Sequence, residues 1–230
     1  MPNTKTEIRI VRDVLIPSGK VQLEGQLNVP AGASGIVLFA HGSGSSRHSP
    51  RNKFVARTLH ESGVGTLLFD LLTRGEEEEE KYTRHLRFDI NLLSKRLIDA
   101  TRWIRKETDV QGLALGYFGS STGAAAALVA AAEIGEQVGV VVSRGGRPDL
   151  AGASLPKVKS STLLIVGSRD EEVIKLNWEA YGRLHCEKKV EIVDRATHLF
   201  EEPGTLEEVA RLAAEWFKGH FEARVQTVGA

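Results

Sequence analysis

The sequence predicts a single α/β domain built on a mostly parallel, doubly wound sheet, and three observations carry that reading. Short runs at 36–40 (IVLFA), 66–69 (TLLF), 113–118 (LALGYF), 138–142 (VGVVV), 162–166 (TLLIV) and 190–193 (VEIV) are mostly apolar. Continuous apolar strands belong to a parallel sheet covered on both faces. Longer helical stretches separate these runs, and a strand–helix–strand order implies right-handed crossovers. At 230 residues, with 41% hydrophobic and 26% charged residues, the chain has the size and composition of one soluble globular unit.

The elements follow in chain order. Residues 7–16 and 21–29 alternate apolar and polar side chains around a turn at 17–20, and read as an antiparallel hairpin with one solvated face. Strand 36–40 comes next, then a helix over 53–62 and strand 66–69. Residues 71–81 hold the acidic run 76–80 and read as a solvated loop or helix start. Across 84–107, Leu86, Ile90, Leu93, Leu97, Ile98 and Ile104 recur at helical spacing. Strand 113–118 leads into a small-residue helix over 122–134, and strand 138–142 follows. The stretch from 142 to 162 is too short for an inserted helical lid. Strand 162–166, helix 171–184, strand 190–193 and helix 206–220 complete the domain, with 224–230 as a short tail.

Composition narrows the function. Lys+Arg and Asp+Glu both number 30, so the formal net charge is zero. Nucleic acid and anionic membrane surfaces therefore lack a global electrostatic attraction to the chain. The longest small-apolar run, 124–132, falls far short of the roughly 20 residues of a membrane span. The polar start MPNTKTEIRIVRDV has no apolar signal-peptide core. A lone cysteine, Cys186, excludes an intrachain disulfide, and no Cys/His group has zinc spacing. The expectation is a cytoplasmic protein, monomer or homodimer, with no metal and no cofactor.

The strongest chemical signal is GSSTG at 119–123, a G-x-S-x-G sequence between an apolar strand and a small-residue helix. In that context a sharp strand-to-helix turn pushes Ser121 out at its tip, and the helix start offers free N–H groups to a developing oxyanion. A serine nucleophile needs a base, and the base an orienting acid. His60, His85, His185 and His220 fall in predicted helices, whereas His198 lies in the loop after the last strand. Asp170 follows strand 162–166, which gives the chain order Ser121, Asp170, His198. Asp194 is a rival acid, but sits only a few residues before His198 at a strand end. After strand 36–40, HGSGSS at 41–46 lets backbone N–H groups approach a substrate oxygen, so Ser43 N–H pairs with Thr122 N–H as the expected oxyanion hole. The loop meets neither glycine-rich phosphate-binding pattern, and His41 reads as a pin for it.

These segments resemble the α/β-hydrolases of the dienelactone hydrolase-like group. The resemblance runs through LFAHGSGSSRHSPRN (38–52), LLFDLLT (67–73), GYFGSSTG (116–123), VVSRGGRPDL (141–150), LLIVGSRD (163–170) and ATHLFEEPG (196–204). It implies the α/β-hydrolase fold, with Ser121 as nucleophile, Asp170 as acid and His198 as base. The chain departs from dienelactone hydrolases proper, which carry a cysteine in the elbow where this chain has Ser121. Cys186, in a predicted helix, cannot substitute for it.

The expected activity is that of a serine hydrolase cleaving small carboxylic esters, thioesters or lactones through an acyl-enzyme. The alternatives are acyl transfer on the same triad and a non-catalytic binding module. Arg47, Arg74, Arg144, Arg147 and Arg169 fall on the loops of this sheet edge. Arg144, Arg147 and Arg47 are candidates for holding a substrate carboxylate or phosphate, against the alternative that they fix loops by ion pairing.

Overall fold

The computed structural model describes residues 8–228, with side chains over 9–223. A sheet of eight strands runs through it in the order β1-β2-β4-β3-β5-β6-β7-β8. The strands are β1 (Ile8–Ser18), β2 (Val21–Pro30), β3 (Gly35–Ala40), β4 (Val64–Phe69), β5 (Ala114–Ser120), β6 (Val140–Arg144), β7 (Ser161–Gly167) and β8 (Lys188–Val193). The β1–β2 hairpin joins antiparallel, β2 lies antiparallel to β4, and the remaining pairs are parallel. The alternating hairpin and the apolar central strands thus take the places their patterns predict. Strands β3 and β4 are buried at every residue.

The sheet is covered on both faces by α1 (Pro50–Glu61), α2 (Arg74–Thr83), α3 (Ile90–Ile104), α4 (Thr122–Ile134), α5 (Glu171–Arg183) and α6 (Thr205–Val228). One core cluster packs Leu38, Tyr117, Val141 and Leu164 with Leu97, Ile98 and Leu128. The other packs Val37, Phe118, Val142 and Ile165 with Leu59, Phe217 and Phe221. Adjacent residues of one strand fall in opposite clusters, as a period of two requires.

Several boundaries differ from the sequence reading for local reasons. The predicted helix 84–107 is broken. Arg84 adopts a left-handed conformation (φ 55°), a 3₁₀ turn spans Leu86–Phe88, and α3 starts at Ile90, where the Asp89 side chain accepts from Leu92 N at 2.9 Å. The acidic stretch is a helix, α2, with a capping box: Thr73 Oγ1 accepts from Glu76 N, and Glu76 Oε2 accepts from Thr73 N at 2.7 Å. Helix α1 begins earlier than expected because Ser49 caps it and Pro50 fits its first position. His185 and Cys186 lie in the connection after α5, outside any helix. Helix α6 continues to Val228 where a tail was expected, and residues 229–230 lie outside the described part. Between β6 and β7 stands only a kinked 3₁₀ segment, Pro148–Lys157, so no helical lid occupies that place. No described helix is long and apolar enough to cross a membrane.

Candidate active site

Ser121 stands between β5 and α4 with φ 51° and ψ −123°. A non-glycine residue there carries roughly 1–3 kcal/mol of strain, which the surrounding structure must hold in place. The flanking glycines explain how so tight a turn fits. A Cβ on Gly119 would stand 2.4 Å from Ala124 Cα, and one on Gly123 would stand 2.1 Å from the Ala40 carbonyl oxygen. The turn is tied to its neighbours by backbone bonds: Ser121 N donates to Arg144 O at 3.3 Å, and Ser121 O accepts from Ala124 N and Arg147 N, both at 3.1 Å.

His198 sits in the loop after β8, and its Nδ1 lies 2.6 Å from Asp170 Oδ2. Asp170 stands just past β7 at the head of α5, its side chain 16% exposed. A proton shared at Nδ1 leaves Nε2 as the acceptor nitrogen of the ring. The rival acid, Asp194, is 88% exposed and faces Arg195 instead. The loop after β6 touches both halves of the site. Arg144 and Arg147 bond the Ser121 backbone, while a Cβ on Gly145 would stand 3.0 Å from His198 O. No hydrogen bond joins Ser121 to His198 among the described residues. Catalytic hydrogen bonds of this kind often tighten only in the complex with substrate.

The loop after β3 reaches the same place. A Cβ on Gly42 would lie 3.1 Å from Ser121 Cβ. Ser43 and Thr122, the expected oxyanion donors, are brought together, but with an unexpected bond: Ser43 N donates to the Thr122 hydroxyl at 3.1 Å. The Ser43 and Thr122 hydroxyls lie 2.9 Å apart, and Ser43 Oγ donates to Arg87 O at 3.1 Å. His41, 6% exposed, pins the loop. Its Nδ1 donates to Gly42 O at 3.0 Å and its Nε2 accepts from Leu71 N at 2.9 Å, while burial pushes the ring below the usual histidine range.

A cavity of about 300 Å³ opens beside this loop, closed on the far side by Leu72, Leu93 and the α2 residues Glu77 and Lys81. Burial, with Asp70 close by, raises the Glu77 carboxyl above its ordinary range. The loop arginines divide. Arg47 pairs with Asp70 and with Glu24 (2.6 Å), Arg74 with Glu24 (3.1 Å), and Arg147 bidentately with Asp149 (2.9 and 2.8 Å). Arg144 is buried, and no carboxylate among the described residues pairs with it. No group of three or more His, Cys, Asp or Glu side chains among the described residues is disposed to hold a metal ion.

Two features lie outside the sequence reading. Asn177 supports the Gly146 carbonyl through Nδ2 at 3.1 Å. Its place on the buried stripe of α5 with Val173 and Ala180 is the signal that marks it as an inward polar group. Glu80, in the acidic run, is 2% exposed and binds Arg87 Nε and Leu86 N, both at 2.6 Å. One-dimensional charge patterning carries no sign of that burial.

With this geometry the chain has the α/β-hydrolase fold. A dienelactone hydrolase from Anabaena variabilis is 57% identical to it, with a TM-score of 0.90 over 92% of this chain and 98% of the other. The chain belongs to the dienelactone hydrolase family. The Pyrococcus furiosus esterase Pf2001 shares the fold at 19% identity, with a TM-score of 0.71 over 92% of this chain and 93% of its own. Two curated relatives from Mycobacterium tuberculosis strains, each named "Putative phosphoribosyl transferase", are 55% identical over 208 residues, 90% of this chain. The chain spans about half of their length, 46%. No family model matches the chain.

Proposed function

We propose that the protein is a serine hydrolase acting on small carboxylic esters, thioesters or lactones. The observation that carries this is a strained serine at a strand-to-helix tip on the same sheet edge as a histidine held 2.6 Å from a carboxylate. In this reading Ser121 attacks the carbonyl carbon while His198 Nε2 takes its proton. The carbonyl oxygen becomes an anion beside the Thr122 and Ser43 N–H groups. His198, oriented by Asp170, passes the proton to the leaving alcohol or thiol as the carbon–oxygen or carbon–sulfur bond breaks. Water then repeats the sequence on the acyl-enzyme and frees Ser121. Because Ser43 N–H already serves the Thr122 hydroxyl, the substrate oxygen shares or displaces that bond as charge develops. The cavity beside the 41–46 loop is of a size for a small substrate, and the missing lid suits one that arrives from solvent.

The test is hydrolysis of a panel of short-chain 4-nitrophenyl esters, thioesters and lactones. Ser121→Ala or His198→Ala should lower kcat by about 10⁴–10⁶-fold with the folded state intact. Activity retained in Ser121→Ala would remove the assignment. One observation favours a second reading. With Ser121 unbonded to His198 and Ser43 N–H occupied, the fold could serve as a binding module without turnover. A folded chain inert toward the whole panel would support that. Adding alcohol and amine acceptors separates hydrolysis from acyl transfer by the products formed.

A further inference from the structure

Arg144 ends β6 with a residue exposure of 7%, and its Nε and Nη1 are sealed from solvent with no partner among the described residues. Strand alternation sets its side chain on the sheet face of Val140 and Val142, the face that α1 and α6 cover. The charged group felt there is another cation, Arg51, in the first turn of α1. Burial first, and Arg51 second, push the Arg144 guanidinium down to about 10, so it stays protonated at neutral pH. Arg51 Nε is also buried without a partner, as is Asn52 Oδ1 beside it. The neighbouring acid is Glu201, which is exposed and spends itself on Arg51 Nη1 at 3.0 Å rather than on Arg144.

A buried cation with no counter-charge, beside a like charge, is costly unless something negative completes it. The N-terminal end of α1 adds its own preference for negative charge. We infer that Arg144 and Arg51 form a subsite for a compact oxyanion, a carboxylate or phosphate carried by the substrate. The proposal rests on the hydrolase reading for its placement. The Arg144 carbonyl accepts the Ser121 N–H, the next residue abuts His198, and Glu201 closely follows His198 in the same loop. An anionic substituent held there would place the ester carbonyl toward Ser121. The guanidinium fork matches either oxyanion, whereas Arg47 and Arg147, already bidentate or doubly paired, have no such vacancy.

Binding is read by calorimetry on the Ser121→Ala protein, titrated with inorganic phosphate and separately with succinate. One of the two should bind, and which one assigns the substituent. Arg144→Met in that background should weaken binding by at least ~10-fold, the loss of a charge-assisted hydrogen bond. Arg144→Lys should recover part of it. Glu201→Gln, which frees Arg51, should tighten it. In the active chain, Arg144→Met should lower by ~10-fold or more the ratio of kcat/KM for 4-nitrophenyl hemisuccinate, or a phosphate-bearing ester, to that for 4-nitrophenyl butyrate. Arg51→Met, at a less buried position, serves if Arg144→Met does not fold. The inference is overturned if neither anion binds, or if folded Arg144→Met binds as well as its parent, which leaves water as the partner of these nitrogens. Calorimetry needs no turnover, so failure of the serine mechanism and failure of this subsite are separate results.

Discussion

Ser121 holds its backbone in a region that side chains rarely occupy, and two glycines make that possible by standing where no side chain fits. This part of the site is legible from five consecutive letters, because the G-x-S-x-G pattern is a steric requirement written in the sequence. The requirement is strict at Gly123, where an added methyl would meet main-chain atoms of β3 that cannot rotate away. Gly123→Ala should therefore lose about 1–3 kcal/mol or more of stability through overpacking, read by urea unfolding, and activity with it. Gly182, in α5 with nothing within 4 Å, supplies the control. Gly182→Ala should be neutral or stabilising by up to about 1 kcal/mol. Asp170 and His198 are legible in a weaker sense, from strand ends and chain order. The bond between Ser43 N and the Thr122 hydroxyl is not, because it depends on how two loops meet in space.

At the scale of elements, the apolar strands and the small-residue helix α4 follow directly from residue pattern. The acidic segment shows where pattern runs out. Its charge argues for solvent, yet Glu76 is held by the buried Arg96 of α3, and Glu80 by Arg87 and two backbone N–H groups. Periodicity alone joins 84–107 into one helix, because it does not register the left-handed Arg84 or the Asp89 cap that divide α2 from α3. Burial acts to raise the Glu80 carboxyl, but the Arg87 guanidinium and the Leu86 and Arg87 N–H groups outweigh it and hold the group at about 2. A folded-state value below the ordinary 4.5 means stability present above that pH and lost as pH falls toward 2. Glu80→Gln should accordingly lower the melting temperature at neutral pH by on the order of several degrees, since a partner of Arg87 is lost. The gap from the parent chain should close as both are acidified toward pH 2. A constant gap across that range, in thermal melts followed by circular dichroism, would place the contribution of Glu80 in shape rather than charge.

At the scale of the whole molecule, the doubly wound sheet gathers Ser121, Asp170 and His198, distant in sequence, at the carboxyl ends of its parallel strands, where such sheets form their sites. The hairpin β1–β2 extends the sheet on the side away from β8, and the 41–46 loop and α2 close one flank of the cleft. The net charge is zero, so electrostatic selectivity at the cleft rests with local groups such as Glu77, which lines it. The sequence reading ends β6 at 142 and leaves Arg144 on a loop, whereas the strand runs to Arg144. Its position two residues along from Val142, on the buried face, is what the alternation of β6 already implies. The most direct measurement is labelling of the folded chain with a fluorophosphonate, beside Ser121→Ala, with mass spectrometry of the modified peptide. A single adduct on Ser121, absent from the variant, is the expected result. A folded parent chain that takes no label, or a label that persists in Ser121→Ala, would contradict it.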